Sequence, residues 1–157
     1  MGRLARAKIA LLERALDGLA DRARRRGALR GQPEHLVTGM DGERAAYFHL
    51  RRKGFTVVAR RWSAGSVPGD IDLIAWDGPT LCFVEVKTRT AHDLTPAEAV
   101  IDAAKRTALR RLASIYVRQM PEETAPPVRF DGVSVYLVPG KAKEIQHFAN
   151  LFGWSEL

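Results

Sequence analysis

Apolar and polar residues along this chain follow two rhythms, and the changes of rhythm mark its elements. Residues 3–26 carry Leu4, Ile9, Leu11, Leu12, Ala15, Leu16 and Leu19 at helical spacing, and Arg24-Arg25-Arg26-Gly27 ends the pattern with cations and a glycine. Gly27–Met40 has little periodicity and reads as a linker, so the compact domain is expected to begin near Thr38. A helix is predicted over Asp41–Lys53, with Asp41 as N-cap, Glu43 in the first turn and Gly54 as the stop. Phe55–Trp62 reads as a strand. Ile71–Trp76 and Leu81–Val86 read as two more, joined by the turn signal Asp77-Gly78-Pro79.

Thr95-Pro96 then opens a predicted long helix, with Thr95 as cap, Glu98 three residues later, and Ala97, Ile101, Ala104, Ala108, Leu112 and Ile115 turned to the sheet. Val128–Val138 reads as a further strand. The tail, Lys141–Leu157, places Ile145, Phe148, Leu151, Phe152 and Trp154 at mostly helical spacing, which predicts a short covering helix. The predicted fold is α/β: a helical extension, then an αβββαβ core with a mixed sheet of about four strands flanked by helices. Two regions follow, a basic extension and linker over residues 1–37 and the main domain over 38–157.

Charge changes the picture at one end only. The chain carries a net charge of +7, of which +6 lies within residues 1–31. The high basicity therefore does not by itself make the domain a nucleic-acid binder. Two readings suit the extension: an arm for phosphates or an anionic membrane surface, and a peripheral or partly disordered segment with a solvated charged face. Cys82, the single cysteine, sits within an apolar strand, which excludes an intrachain disulfide and fits a cytoplasmic setting. No apolar run approaches the roughly 20 residues that span a bilayer, and the start lacks the apolar core of a secretory signal, so no membrane partner is expected. Oligomeric state is left open, a homodimer included.

The candidate chemistry lies on the predicted hairpin. Asp70 and Asp72 share one face of its first strand, and Glu85 and Lys87 share one face of its second. Hydrolysis of a phosphodiester with a divalent metal needs carboxylates to hold the ion and a group to orient water. Mg²⁺ keeps several waters, so one or two carboxylates suffice. Asp72 and Glu85 fit that need, with Lys87 placed to orient water. The competing reading is a cross-strand ion pair, which contributes only about 0.2–1 kcal/mol. The four histidines (His35, His49, His92, His147) show no metal-ligand spacing, and Trp62, Trp76 and Trp154 suit sheet packing better than base stacking.

The segment G-D-I-D-L-I-A, followed by F-V-E-V-K-T-R, resembles the YraN-like family of predicted endonucleases, which are similar to archaeal Holliday junction resolvases. The resemblance extends to Gly42-Glu43, Ala99-Val100, Lys105 and Arg129-Phe130-Asp131, covering roughly residues 38–155. It implies a restriction-endonuclease-like core with a PD-(D/E)xK site: Asp72 and Glu85 as metal ligands, Lys87 as the catalytic lysine, Glu43 as an additional metal-associated residue, and Mg²⁺ or Mn²⁺ as cofactor. It further implies DNA as substrate, branched or flapped forms included. Arg89, Lys105, Arg106 and Arg110 are candidate nucleic-acid contacts. Two departures stand out: Asp70 replaces the family's usual glutamate, and Arg61 stands where asparagine is common. The alternative function is a nucleic-acid-binding or protein-interaction module that keeps the fold without cleavage.

Overall fold

Gly78 and Pro79 turn the chain back on itself between Asp77 and Thr80, and the sheet grows outward from that hairpin. Gly78 has φ 57°, the positive value that the first position of a two-residue hairpin loop requires. The computed structural model describes residues 2–28, 30–91, 101–121 and 126–154. Its elements are α1 (Arg3–Arg25), α2 (Glu34–Lys53), β1 (Thr56–Trp62), β2 (Ile71–Asp77), β3 (Thr80–Arg89), α3 (Ala103–Arg118), β4 (Val128–Tyr136) and β5 (Glu144–Phe152). The five strands pair in the order β1-β2-β3-β4-β5. Only β3 and β4 run parallel; the other neighbours are antiparallel.

Strand alternation sends side chains to two cores. Leu73, Ala75, Cys82, Val84, Val133 and Val135 pack under Ala45, Ala46 and Leu50 of α2. Ile74, Leu81, Phe83, Phe130 and Phe152 pack under Leu109, Leu112 and Ala113 of α3, with Trp62 and Trp76 partly buried at the edge of that cluster. Burial pushes the Cys82 thiol up to about 12, so it is an inert part of the first core.

Four expectations need correction. The sheet has five strands, not about four, because the tail forms β5 instead of a covering helix. Asn150 at φ 56° and a register shift between Phe130 and Gly132 interrupt the alternation of β5, so its apolar residues fall at helix-like spacing. Helix α2 begins at Glu34 behind Pro33, which shortens the linker and places Asp41 and Glu43 inside the helix. Gly54 does end it, at φ 103°. Helix α3 begins at Ala103, where the Asp102 side chain accepts the Lys105 N–H at 2.8 Å. Asp102 itself is extended, so the helix does not run through from Thr95; Thr95–Glu98 lie outside the described residues.

Helix α1 forms as expected but docks on α2 through its acids. Glu13, largely buried, pairs with Arg52 and with Lys143, while Asp17 meets Arg44 at 3.0 Å and Arg24 meets Asp41. The extension is therefore held against the domain, and its charged arc faces inward.

On the α2 side, Asp131 is fully buried and well supplied with donors. It accepts from Arg129 at 2.8 and 3.0 Å, from the Asn150 N–H at 2.9 Å, and pairs with His147 Nε2 at 2.9 Å. Burial alone would raise its pKa, but these partners hold it below the ordinary aspartate value.

Candidate functional site

The register that pairs Leu73 with Val84 sets Asp72 opposite Glu85. By alternation both belong to the α3 side of the sheet, since Leu73 and Val84 face α2. Asp72 Oδ2 accepts the Val86 N–H at 2.7 Å, which fixes that carboxylate across the two strands. Lys105, in the first turn of α3, brings its Nζ to 3.0 Å from Glu85 Oε2. That oxygen is buried, and the ammonium does not meet it in hydrogen-bond alignment.

Electrostatics at the pair follow from this burial. Desolvation first, then the Asp72 charge, pushes Glu85 up to about 7 against the pull of Lys105. Burial also raises Asp72, opposed by the Val86 amide and by Lys105. Burial works against the Lys105 ammonium as well, yet Glu85, Asp72 and Asp70 hold its pKa above the ordinary lysine value.

Glu43 approaches from α2. Its pKa is raised by burial and then by Asp72 and Asp70, with Arg61 and Arg60 opposing. Arg61 Nε lies 3.9 Å from Glu43 and 3.6 Å from Asp70, so one guanidinium sits between two acids. Arg61 holds φ 47°, a left-handed conformation that asparagine adopts more readily than arginine. The helix can come this near because residue 42 is glycine: a Cβ there would stand 1.8 Å from Thr88 Oγ1. Glu43, Val86, Lys87 and Thr88 share with Glu34 and His35 an open cleft of about 670 Å³.

The structure thus gathers Glu43, Asp72 and Glu85 into one electrostatic neighbourhood at the ends of β2 and β3. Lys87 is exposed on the cleft wall, beyond Glu85 on the same strand. The lysine in contact with Glu85 is Lys105, which the sequence suggested only as a nucleic-acid contact. Its signal was Asp102: a helix capped there puts Lys105 in the first turn, level with the charged end of the hairpin. Arg106 and Arg110 turn toward β5, with Arg110 Nε donating to the Gly153 carbonyl at 2.8 Å and both guanidinium groups lying over the Phe152 ring. Arg89 is half-buried at the end of β3, paired in register with Tyr136.

Asp72 and Glu85 form an all-oxygen donor pair suited to a hard divalent cation. By donor type the pair fits Mg²⁺ or Mn²⁺, which would compete with the Lys105 ammonium for the buried Glu85 oxygen. Among the described residues, no group of three or more His, Cys, Asp or Glu is gathered closely enough to hold a metal ion by itself. A cation held by this pair would take its remaining ligands from water.

Comparison with known proteins adds a family. The family described as "Uncharacterised protein family UPF0102" matches residues 42–135, which includes Glu43, Asp72, Glu85, Lys87 and Lys105. A UPF0102 protein of Koribacter versatilis is 52% identical over 106 residues, covering 68% of this chain and 73% of its own. One from Solibacter usitatus is 47% identical over 129 residues, covering 82% and 89%. One from Symbiobacterium thermophilum is 49% identical over 98 residues, covering 62% and 80%.

Proposed function

The chain belongs to the UPF0102 family, and from its hairpin site we propose that it is a metal-dependent DNA endonuclease with a restriction-endonuclease-like core. One observation carries this reading: two partly buried carboxylates, Asp72 and Glu85, lie opposite each other across β2 and β3, on one face of the sheet. Two like charges about 4 Å apart repel by about 4 kcal/mol at an effective dielectric near 20, and a shared divalent cation reverses the sign. The antiparallel β1-β2-β3 arrangement followed by α3 and the parallel strand β4 supports the fold assignment.

In this reading Asp72 and Glu85 would hold Mg²⁺ or Mn²⁺, which would supply charge neutralisation at the phosphodiester and Lewis acidity. Asp72 is oriented by the Val86 amide, and Lys105 favours the charged form of Glu85. Lys87, exposed at the cleft, orients the attacking water, and Glu43 assists from α2.

The test is incubation of the protein with linear, flapped and four-way-junction DNA plus Mg²⁺ or Mn²⁺, beside Glu85→Ala and Lys87→Ala. Cleavage by the native protein, lost in both variants, is expected. Cleavage that survives both substitutions removes the site; DNA binding with no cleavage by the native protein favours a non-catalytic module.

A further inference from the structure

Helix α1 is packed the opposite way from most surface helices. Leu4, Leu11, Leu12, Leu16 and Leu19 recur at helical spacing and all face solvent, with Leu4 81%, Leu11 69% and Leu19 61% exposed. The opposite arc, through Glu13, Asp17 and Arg24, makes the ion pairs to α2 and Lys143. An apolar stripe that would ordinarily be buried is therefore presented outward, on a helix anchored by its charges.

Cations flank the stripe. Lys8, Arg22 and Arg26 fall on the leucine arc at 3.6 residues per turn, and Arg14 and Arg25 border it; all five are exposed. The three acids of α1 are engaged elsewhere: Glu13 and Asp17 face the domain and Asp21 pairs with Arg24. A second copy laid on this face would set cations against cations with no acid to answer them. Nucleic acid would answer the cations and leave the leucines in water. Anionic lipid answers both.

We infer that α1 is an interfacial helix that seats the protein on a membrane surface rich in anionic lipid. Its leucines enter the boundary between headgroups and acyl chains, and Lys8, Arg22 and Arg26 extend to the lipid phosphates. Among the described residues no helix is long and apolar enough to cross a membrane, so the attachment is peripheral. It revises the expectation of no membrane partner and stands apart from the proposed cleavage chemistry.

The test uses the full chain in flotation with phosphatidylglycerol–phosphatidylcholine vesicles and with pure phosphatidylcholine vesicles. Binding to the anionic vesicles alone is expected, weakened by salt. Leu11→Gln/Leu19→Gln should bind roughly tenfold more weakly or worse, and Arg22→Gln/Arg26→Gln roughly fivefold more weakly for each charge removed. Circular dichroism checks that each variant keeps the native helix content. Equal binding to both vesicle types, or leucine variants that float like the native protein, overturns the inference. So does a native dimer that the leucine substitutions convert to monomer, which would make a second copy the occupant. DNA binding that falls with the same leucines would do the same for nucleic acid.

Discussion

Lys105 holds its ammonium 3.0 Å from the buried Oε2 of Glu85, joining the first turn of α3 to the charged end of the β2–β3 hairpin. An opposite charge at this distance favours the ionised carboxylate by roughly one pKa unit or more. Lys105→Met should therefore move the acid limb of Mn²⁺ binding upward by about that amount, whereas Lys105→Arg should move it little. Calorimetric titration with Mn²⁺ across pH measures the limb. Lys87→Met should leave it in place and lower only the cleavage rate.

The raised Glu85 has a consequence for stability without metal. Its folded pKa, about 7, lies above the ordinary glutamate value of 4.5, so the folded state binds the proton more tightly. The associated stability is complete below pH 4.5 and is lost as pH rises through 7. At about 1.4 kcal/mol per pH unit, the full loss is on the order of 3 kcal/mol, of which about 2 kcal/mol falls between pH 5.5 and pH 8. Metal-free protein is expected to melt lower at pH 8 than at pH 5.5 from this group, and Glu85→Gln to remove that slope. Mg²⁺ should restore the melting temperature at pH 8 in the native chain and not in Glu85→Gln. Thermal melts at the two pH values, with and without Mg²⁺, decide it.

Gly42→Ala should cost about 1–3 kcal/mol through overpacking, because the new Cβ meets Thr88 Oγ1 at 1.8 Å and Thr88 Cβ and Cγ2 at 2.9 Å. Displacing α2 also withdraws Glu43 from Asp72. Urea midpoints should fall, and Thr88→Ala should recover part of the loss, since two of the three clashing atoms go.

Asp131→Asn leaves the half-buried Arg129 with Asp77 alone and His147 without its acid, and should cost about 3 kcal/mol. The folded pKa of Asp131 lies below its unfolded value, so this stability is present above the unfolded pKa and is lost as pH falls through the folded one. Denaturant titration at pH 7 and in acid should show a large deficit that narrows in acid. Metal binding at low temperature should be unchanged, because the group lies on the α2 side of the sheet.

The hairpin and its acids were legible because a two-residue turn fixes register, and register fixes faces. Asp72 opposite Glu85 follows from Asp77-Gly78-Pro79-Thr80 alone. Other features needed tertiary context. Residues 34–40 contain Gly39 and follow Pro33, so their helical state shows only where α2 lies over the sheet. The tail misread as helix because a bulged strand spaces its apolar residues by three or four. The inward turn of Glu13 and Asp17 depends on Arg44, Arg52 and Lys143, three cations distant in sequence from those acids. Lys105 was visible as a residue and invisible as a contact, since its place depends on where α3 begins.

The parallel pairing of β3 with β4 sets an order of assembly. Strands β1, β2 and β3 are joined by short connections and can zip within microseconds, as hairpins do. Strand β4 must instead close the chain from Arg89 to Val128, a slower step with a larger loop entropy. The nascent hairpin therefore holds Asp72 and Glu85 together before α3 delivers Lys105. We expect substitutions such as Leu73→Ala to slow folding, and Lys105→Met to act chiefly on unfolding, as stopped-flow kinetics of the two variants would reveal. For part of its folding time, the chain carries this pair of acids without the Lys105 ammonium, so dissolved Mg²⁺ should speed the committed step as well as stabilise its product.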